Sequence, residues 1–108
     1  MPLLYEFNMD SVDDLAERLS ENTKRRRLEK GLSRKALSMM SGVPAPTIAK
    51  FEQQHTISLH GFLALAKALG YTDTLKSLLN EPVFSTMEEL DTINKNKNRK
   101  RGRNEFHR

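Results

Sequence analysis

RKALSMMSGVPAPTIAKFEQ, residues Arg34 to Gln53, decides the reading of this chain. Ser33 precedes it as an N-cap, and Ala36, Leu37 and Met40 recur at helical spacing up to Gly42, a residue that lets the chain reverse through a left-handed conformation. Val43, Pro44, Ala45 and Pro46 follow. Proline at the first helical position loses no hydrogen bond and pushes the residue before it out of the helical region. The spacing therefore predicts a second helix from Pro46, with Ala45 as its N-cap. Ile48 and Phe51 are the apolar pair of that helix, which frays by Gln54. Two short helices on a glycine corner, with Leu37, Val43, Ile48 and Phe51 turned inward, have the layout of a helix-turn-helix. The inward set holds the second helix crosswise on the first, so that its N-terminus protrudes far enough to enter a major groove.

Working outward, Ser11 is a good N-cap, and Asp13, Asp14 and Glu17 sit in the first turns, where the helix dipole favours negative charge. Val12, Leu15, Ala16 and Leu19 form one apolar stripe. The charge then reverses to Lys24, Arg25, Arg26 and Arg27 before Gly31 stops the helix. Downstream, Ser58 opens the most hydrophobic helix, with Leu59, Phe62, Leu63, Leu65, Ala66 and Leu69, and Gly70 ends it. This helix is expected to lie across the others as the core. Thr72 or Asp73 caps a fifth helix with Leu75, Leu78 and Leu79, ended by Glu81 and Pro82. Met87, Leu90 and Ile93 give a weak helical pattern behind Ser85 and Thr86, too short to stand alone in water. From Asn94 the composition is Asn, Lys, Arg and Gly with only Phe106 apolar, a tail expected to be disordered unless bound. Leu3, Leu4, Tyr5 and Phe7 make an apolar arm or short strand at the start. The predicted organisation is an N-terminal arm over 1–10, a helical domain over 11–80 and a basic extension over 81–108.

A chain of 108 residues holds one ordinary core. Its net charge of +4 conceals a division. Residues 95–108 carry seven basic side chains against Glu105, a net +6, which leaves the rest of the chain at −2. Attraction to polyanions must come from the tail and from local patches. With no cysteine, disulfides and thiol chemistry are excluded. No apolar run reaches the roughly 18 residues of a membrane span, and the N-terminus lacks the basic and apolar segments of a signal peptide. These features predict a soluble, cytoplasmic protein. His55, His60 and His107 lack metal-site spacing and are read as solvated or loop histidines. Met39 and Met40 are read as core filler. No serine, lysine or carboxylate set forms a catalytic constellation, and the glycines form no phosphate-cradling loop, so neither an enzyme nor a cofactor is expected.

Arg27, Gly31, Leu32, Ser33, Leu37, Gly42, Val43, Thr47, Ile48 and Glu52 together resemble the pattern of the XRE-type, or phage-repressor-like, helix-turn-helix family over Thr23 to about Leu79. Phe51, Glu52, Ile57, Ser58, Leu59 and the run to Ala66, Leu69 and Gly70 are similar to the HipB-like antitoxins encoded beside HipA-like kinases. The resemblance implies an all-α, five-helix, lambda-repressor-like DNA-binding domain. Arg34 stands where the family usually places a glutamine that grips the DNA backbone, with Lys35 beside it. Ala45, Pro46, Thr47 and Lys50 occupy the recognition positions, and Arg27 and Glu52 fall where the family often forms a structural ion pair. Ala45 and Pro46 offer no side-chain hydrogen bond to a base edge. Direct readout therefore falls mainly to Lys50, with Ala45 and Thr47 able to touch thymine methyls. Gln54 replaces a frequent glycine after the recognition helix, so that loop is expected to differ.

The implied function is repression by a homodimer bound to an inverted-repeat, double-stranded operator. The implied partner is a HipA-like serine/threonine kinase toxin of the same operon. A stand-alone phage-type or metabolic regulator would share the DNA chemistry without a toxin. A protein-interaction adaptor would use the same fold and the basic tail without touching DNA. For that tail, phosphate neutralisation, docking on an acidic partner and simple solubilisation all remain open.

Overall fold

Ser11 begins the first helix by a reciprocal cap: its hydroxyl accepts from the Asp14 amide at 3.0 Å, and the Asp14 carboxylate accepts from the Ser11 amide at 3.2 Å. The computed structural model describes residues 10–100, and all regular elements among them are helices. These are α1 (Val12–Glu29), α2 (Arg34–Ser41), α3 (Ala45–Gln54), α4 (Leu59–Ala68), α5 (Thr72–Ser77) and α6 (Met87–Asn96). The arm over residues 1–9 and the tail from Arg101 lie outside the described residues.

The caps do what their residue types dictate. Ser33 accepts from the Ala36 amide and Ser58 from the Gly61 amide, each at 3.0 Å. Each hydroxyl satisfies one of the amides that a helix start leaves unpaired. Gly42, at φ +81°, turns the chain out of α2 through the left-handed region, with its amide on the Ser38 carbonyl at 2.8 Å.

The chain divides after Lys76 into two units. In the first, Leu37, Val43, Ile48, Phe51, Leu65 and Leu69 form the buried core, with Leu32, Ile57, Phe62, Ala64 and Ala68 packed against it. Phe51 meets Phe62 edge to face, with ring centres 6.0 Å apart. Fully burying a leucine or isoleucine such as Leu37, Ile48 or Leu65 contributes about 1.5–3 kcal/mol each. α4 with its C-cap supplies Leu65 and Leu69 and packs on α2, which in turn packs on α3, while α1 meets α3.

Several expectations need correction here. The apolar stripe of α1 does not face the core: Val12 is 80% exposed, and Leu15 and Leu19 are also exposed. The buried face of α1 is Ser20, Thr23 and Arg27, at i, i+3 and i+7, so this helix is held by polar contacts. Met39 and Met40 are exposed rather than core filler. α5 stops at Ser77, because Leu78 and Leu79 are exposed and gain nothing from continuing it, and Leu79 turns at φ +63°.

The second unit contains the sixth helix, where five were expected. The weak pattern over Met87–Ile93 is α6, and it runs on through Asn94–Asn96, where an unstructured tail was expected. Its start explains why. The Thr86 hydroxyl accepts from the Glu89 amide at 3.0 Å, while one Glu89 oxygen accepts from the Ser85 amide, the Ser85 hydroxyl and the Thr86 amide. Those bonds, led by the Ser85 amide, hold the Glu89 carboxyl below its ordinary pKa.

Candidate nucleic-acid interface

α3 starts one residue earlier than its prolines suggest. The Pro44 carbonyl accepts from the Thr47 and Ile48 amides at 2.9 and 3.1 Å, which makes Pro44, not Ala45, the N-cap, with Pro46 in the first turn. Pro44 supplies no side-chain cap, and neither proline has an amide hydrogen. With Thr47 and Ile48 already paired, the start of α3 offers an acceptor only the Ala45 amide among the described residues.

From that start the helix period sorts the side chains. Ile48, Phe51 and Glu52 turn inward and are buried. Pro46, Lys50, Gln53 and Gln54 are exposed, and Ala45 and Thr47 are half-buried. Thr47 and Lys50 therefore stand where a partner can reach them. On α2, Lys35 is exposed and Arg34 half-buried. Gln53 continues the open face of Pro46 and Lys50 and was not singled out in the sequence, although seven-residue spacing from Pro46 places it there.

A polar clasp fixes this face from behind. Arg27 donates through Nε to Glu52 Oε2 at 2.8 Å, through Nη2 to Oε1 at 3.1 Å, and through Nη1 to the Leu32 carbonyl at 2.8 Å. The expected Arg27–Glu52 pair thus forms as a bidentate fork, with side chains 7% and 1% exposed. Arg34 adds a bond the sequence reading did not contain: its Nε donates to Glu52 Oε1 at 3.0 Å. Arg34 is 35% exposed, and its Nη1 and Nη2 carry no hydrogen bond among the described residues. Burial raises the Glu52 pKa, but the hydrogen bonds and charges of Arg27 and Arg34 outweigh it and hold the carboxyl below the ordinary range.

Of the neighbouring cations, Arg26 pairs with Glu29 at 2.8 Å on the surface, a contact contributing at most about 1 kcal/mol. His55 is not a solvated loop histidine. It closes α3 at φ +66°, so the left-handed residue after this helix is His55, not Gln54. Its Nδ1 lies 2.7 Å from the Ser20 hydroxyl of α1.

Two short helices, a left-handed glycine between them and an outward face held by a buried clasp are now in place. Residues 24–75 match the helix-turn-helix family model. This helix-turn-helix segment runs from Lys24 in α1 to Leu75 in α5 and takes in Arg27, Arg34 and Glu52 along with the whole of α2 and α3. A helix-turn-helix of this kind points to a DNA-binding transcription regulator with double-stranded DNA as its partner. No curated protein and no solved structure matches the chain. Among the described residues no helix is long and apolar enough to cross a membrane, and no group of acidic residues and histidines could hold a metal ion.

Proposed function

We propose that the chain is a sequence-specific transcriptional repressor that binds its operator as a homodimer through α3. The observation that carries this reading is the division of α3 into a locked inner face and an open outer one. Ile48, Phe51 and Glu52 are buried, while Lys50 is exposed beside the partly open Thr47 and Ala45. Lys50 is the direct reader, most naturally of guanine, and Ala45 and Thr47 meet thymine methyls. Pro46 shapes the approach. Arg34, through its outer amino groups, and Lys35 hold phosphates, which sets register without reading sequence. With so few base-edge donors, specificity leans on phosphate positioning and on the ease with which the operator deforms. Two copies place two α3 helices in successive major grooves, about 34–36 Å apart.

Likeness to HipB-like antitoxins extends the reading. The chain would then repress its own operon and hold a HipA-like serine/threonine kinase toxin inactive in a complex. The lambda-repressor-like domain is the five-helix part over 11–80, and the basic extension adds sequence-blind affinity for phosphate. A stand-alone regulator would share all of the DNA chemistry, and the match over residues 24–75 serves both readings.

The test is a gel-shift and footprint on the DNA upstream of the chain's own gene, with and without the product of the neighbouring reading frame. Protection of an inverted repeat supports the repressor, and a supershift by a neighbouring kinase supports the antitoxin. A footprint that no neighbour alters leaves the stand-alone regulator. The absence of any protected sequence refutes DNA binding and favours an adaptor.

A further inference from the structure

We propose that His55 is a positioning residue for the outer face of α3, acting through Ser20; the inference rests on the DNA-binding reading above. It starts from the inverted chemistry of α1, whose face toward α3 is Ser20, Thr23 and Arg27 rather than an apolar stripe. The Thr23 hydroxyl donates to the Leu19 carbonyl of its own helix at 2.7 Å. That leaves two side-chain ties between α1 and the end of α3 among the described residues: Arg27 to Glu52, and Ser20 to His55.

Counting protons gives the second tie a direction. The Ser20 hydroxyl lies 2.8 Å from the Glu17 carbonyl, which can only accept, so the one hydroxyl hydrogen is spent there. Toward His55 the Ser20 oxygen must therefore accept, and Nδ1 must carry the hydrogen. Ser20 is fully buried, so the histidine donor meets an acceptor that water does not reach.

Backbone geometry adds an independent argument. His55 ends α3 in the left-handed region, at φ +66° and ψ +24°, with its amide on the Phe51 carbonyl at 2.8 Å. Glycine or asparagine suits that position with less strain. Glycine lacks a donor for Ser20, whereas the histidine ring supplies one.

The consequence is orientational. Apolar packing through Ile48 and Phe51 resists separation of α3 from its support but is tolerant of small slides and rotations, because it has no direction. Hydrogen bonds are directional. Two such ties, three residues apart at Glu52 and His55, fix both the turn of α3 about its axis and its position along it. Lys50, two residues before Glu52, inherits that precision at a base edge.

The experiment uses the full 108-residue chain and, as probe, the duplexes that wild type enriches from a random library. His55→Gly and Ser20→Ala should each weaken binding to the enriched duplex by about tenfold, the equivalent of one net hydrogen bond. Binding to an unrelated duplex should stay unchanged. His55→Asn should restore specific binding, because its Nδ2 sits where Nδ1 did and asparagine tolerates the left-handed turn. Wild-type affinity in His55→Gly overturns the proposal, as does a His55→Asn protein as weak as His55→Gly. Parallel loss of specific and unspecific binding along with helical signal also overturns it, since the histidine would then be structural only. Independently of DNA, a long-range nitrogen–proton spectrum of the free protein should show the neutral His55 ring protonated at Nδ1; a neutral ring protonated at Nε2 instead would make Nδ1 an acceptor and overturn the direction assigned to the Ser20 bond. If wild type enriches no duplex, the DNA-binding reading falls and takes this role with it, while the spectrum still judges the Ser20 bond.

Discussion

Arg34, the first residue of α2, donates through Nε to Glu52 in the last turn of α3, at 3.0 Å, onto the same oxygen that Arg27 reaches through Nη2. One carboxylate therefore joins three helices, and the two arginines contribute unequally, because Arg27 is enclosed and Arg34 is not.

Arg27→Ala should cost about 3–5 kcal/mol, as expected when one partner of a buried pair is removed and the other stays enclosed. Arg34→Ala should cost about 1 kcal/mol or less, in keeping with a partly exposed pair. Urea unfolding of the two variants checks the ranking. Equal losses would show that Glu52 relies on both arginines alike.

Acid should weaken the fold through the same carboxylate. Because the Glu52 pKa in the folded chain lies below the ordinary 4.5, the unfolded chain takes up the proton first as pH falls. The stabilisation is complete above the ordinary value and is lost as pH drops through the folded-state one. Glu52→Gln should be less stable at neutral pH and should show a shallower decline in stability below the ordinary value. An acid limb identical to wild type would assign the decline to other carboxylates.

On DNA, Lys50→Ala should relax base preference at one position by about 1–3 kcal/mol. Arg34→Ala should weaken all sequences alike and reduce the salt slope by about one. A gel-shift series over several salt concentrations separates the two effects. If Lys50→Ala preserved the full ranking of base variants, another side chain of the open face, such as Gln53, would be the reader.

Gly42→Ala tests the corner between α2 and α3. A Cβ built there meets no atom within 4 Å, so its only penalty is the left-handed φ of +81°, a strain of about 1–2 kcal/mol. Gly42→Asn should recover part of it. A stability loss well beyond this range in denaturant would point to crowding instead.

Truncation after Asn96 removes six basic residues and Glu105 while leaving α6 whole. If the tail neutralises phosphates, the slope of log affinity against log salt should flatten, with base preference unchanged. An unaltered slope would favour a solubilising tail or a protein partner.

What could be read in the sequence, and what could not, follows from the kind of force involved. Ser11, Ser33, Ser58 and Gly42 act through local chemistry that residue type and spacing announce, and all four sit where the sequence placed them. Leu37, Val43, Ile48 and Phe51 were legible because an apolar face repeats with the helix period. Ser20 and His55 were not, because a cross-helix hydrogen bond between residues 35 positions apart leaves no periodic trace. The exposed stripe of Val12, Leu15 and Leu19 misled for the reverse reason: it has the right period and, among the described residues, no core behind it. For α6 a sign was available, since Thr86 and Glu89 stand at capping-box spacing. Arg34 was expected at a phosphate; its tie to Glu52 depends on how α2 and α3 cross, which residue types alone do not specify.

Pro44 and Pro46, on either side of Ala45, have a thermodynamic consequence. Each ring removes a rotatable backbone angle from the unfolded chain, so the corner before α3 has fewer disordered states to surrender on folding. Whatever surface meets Ala45 and Thr47 therefore meets a turn whose ordering entropy was lost when the chain folded, and little of the free energy of association at this point should go into arranging it.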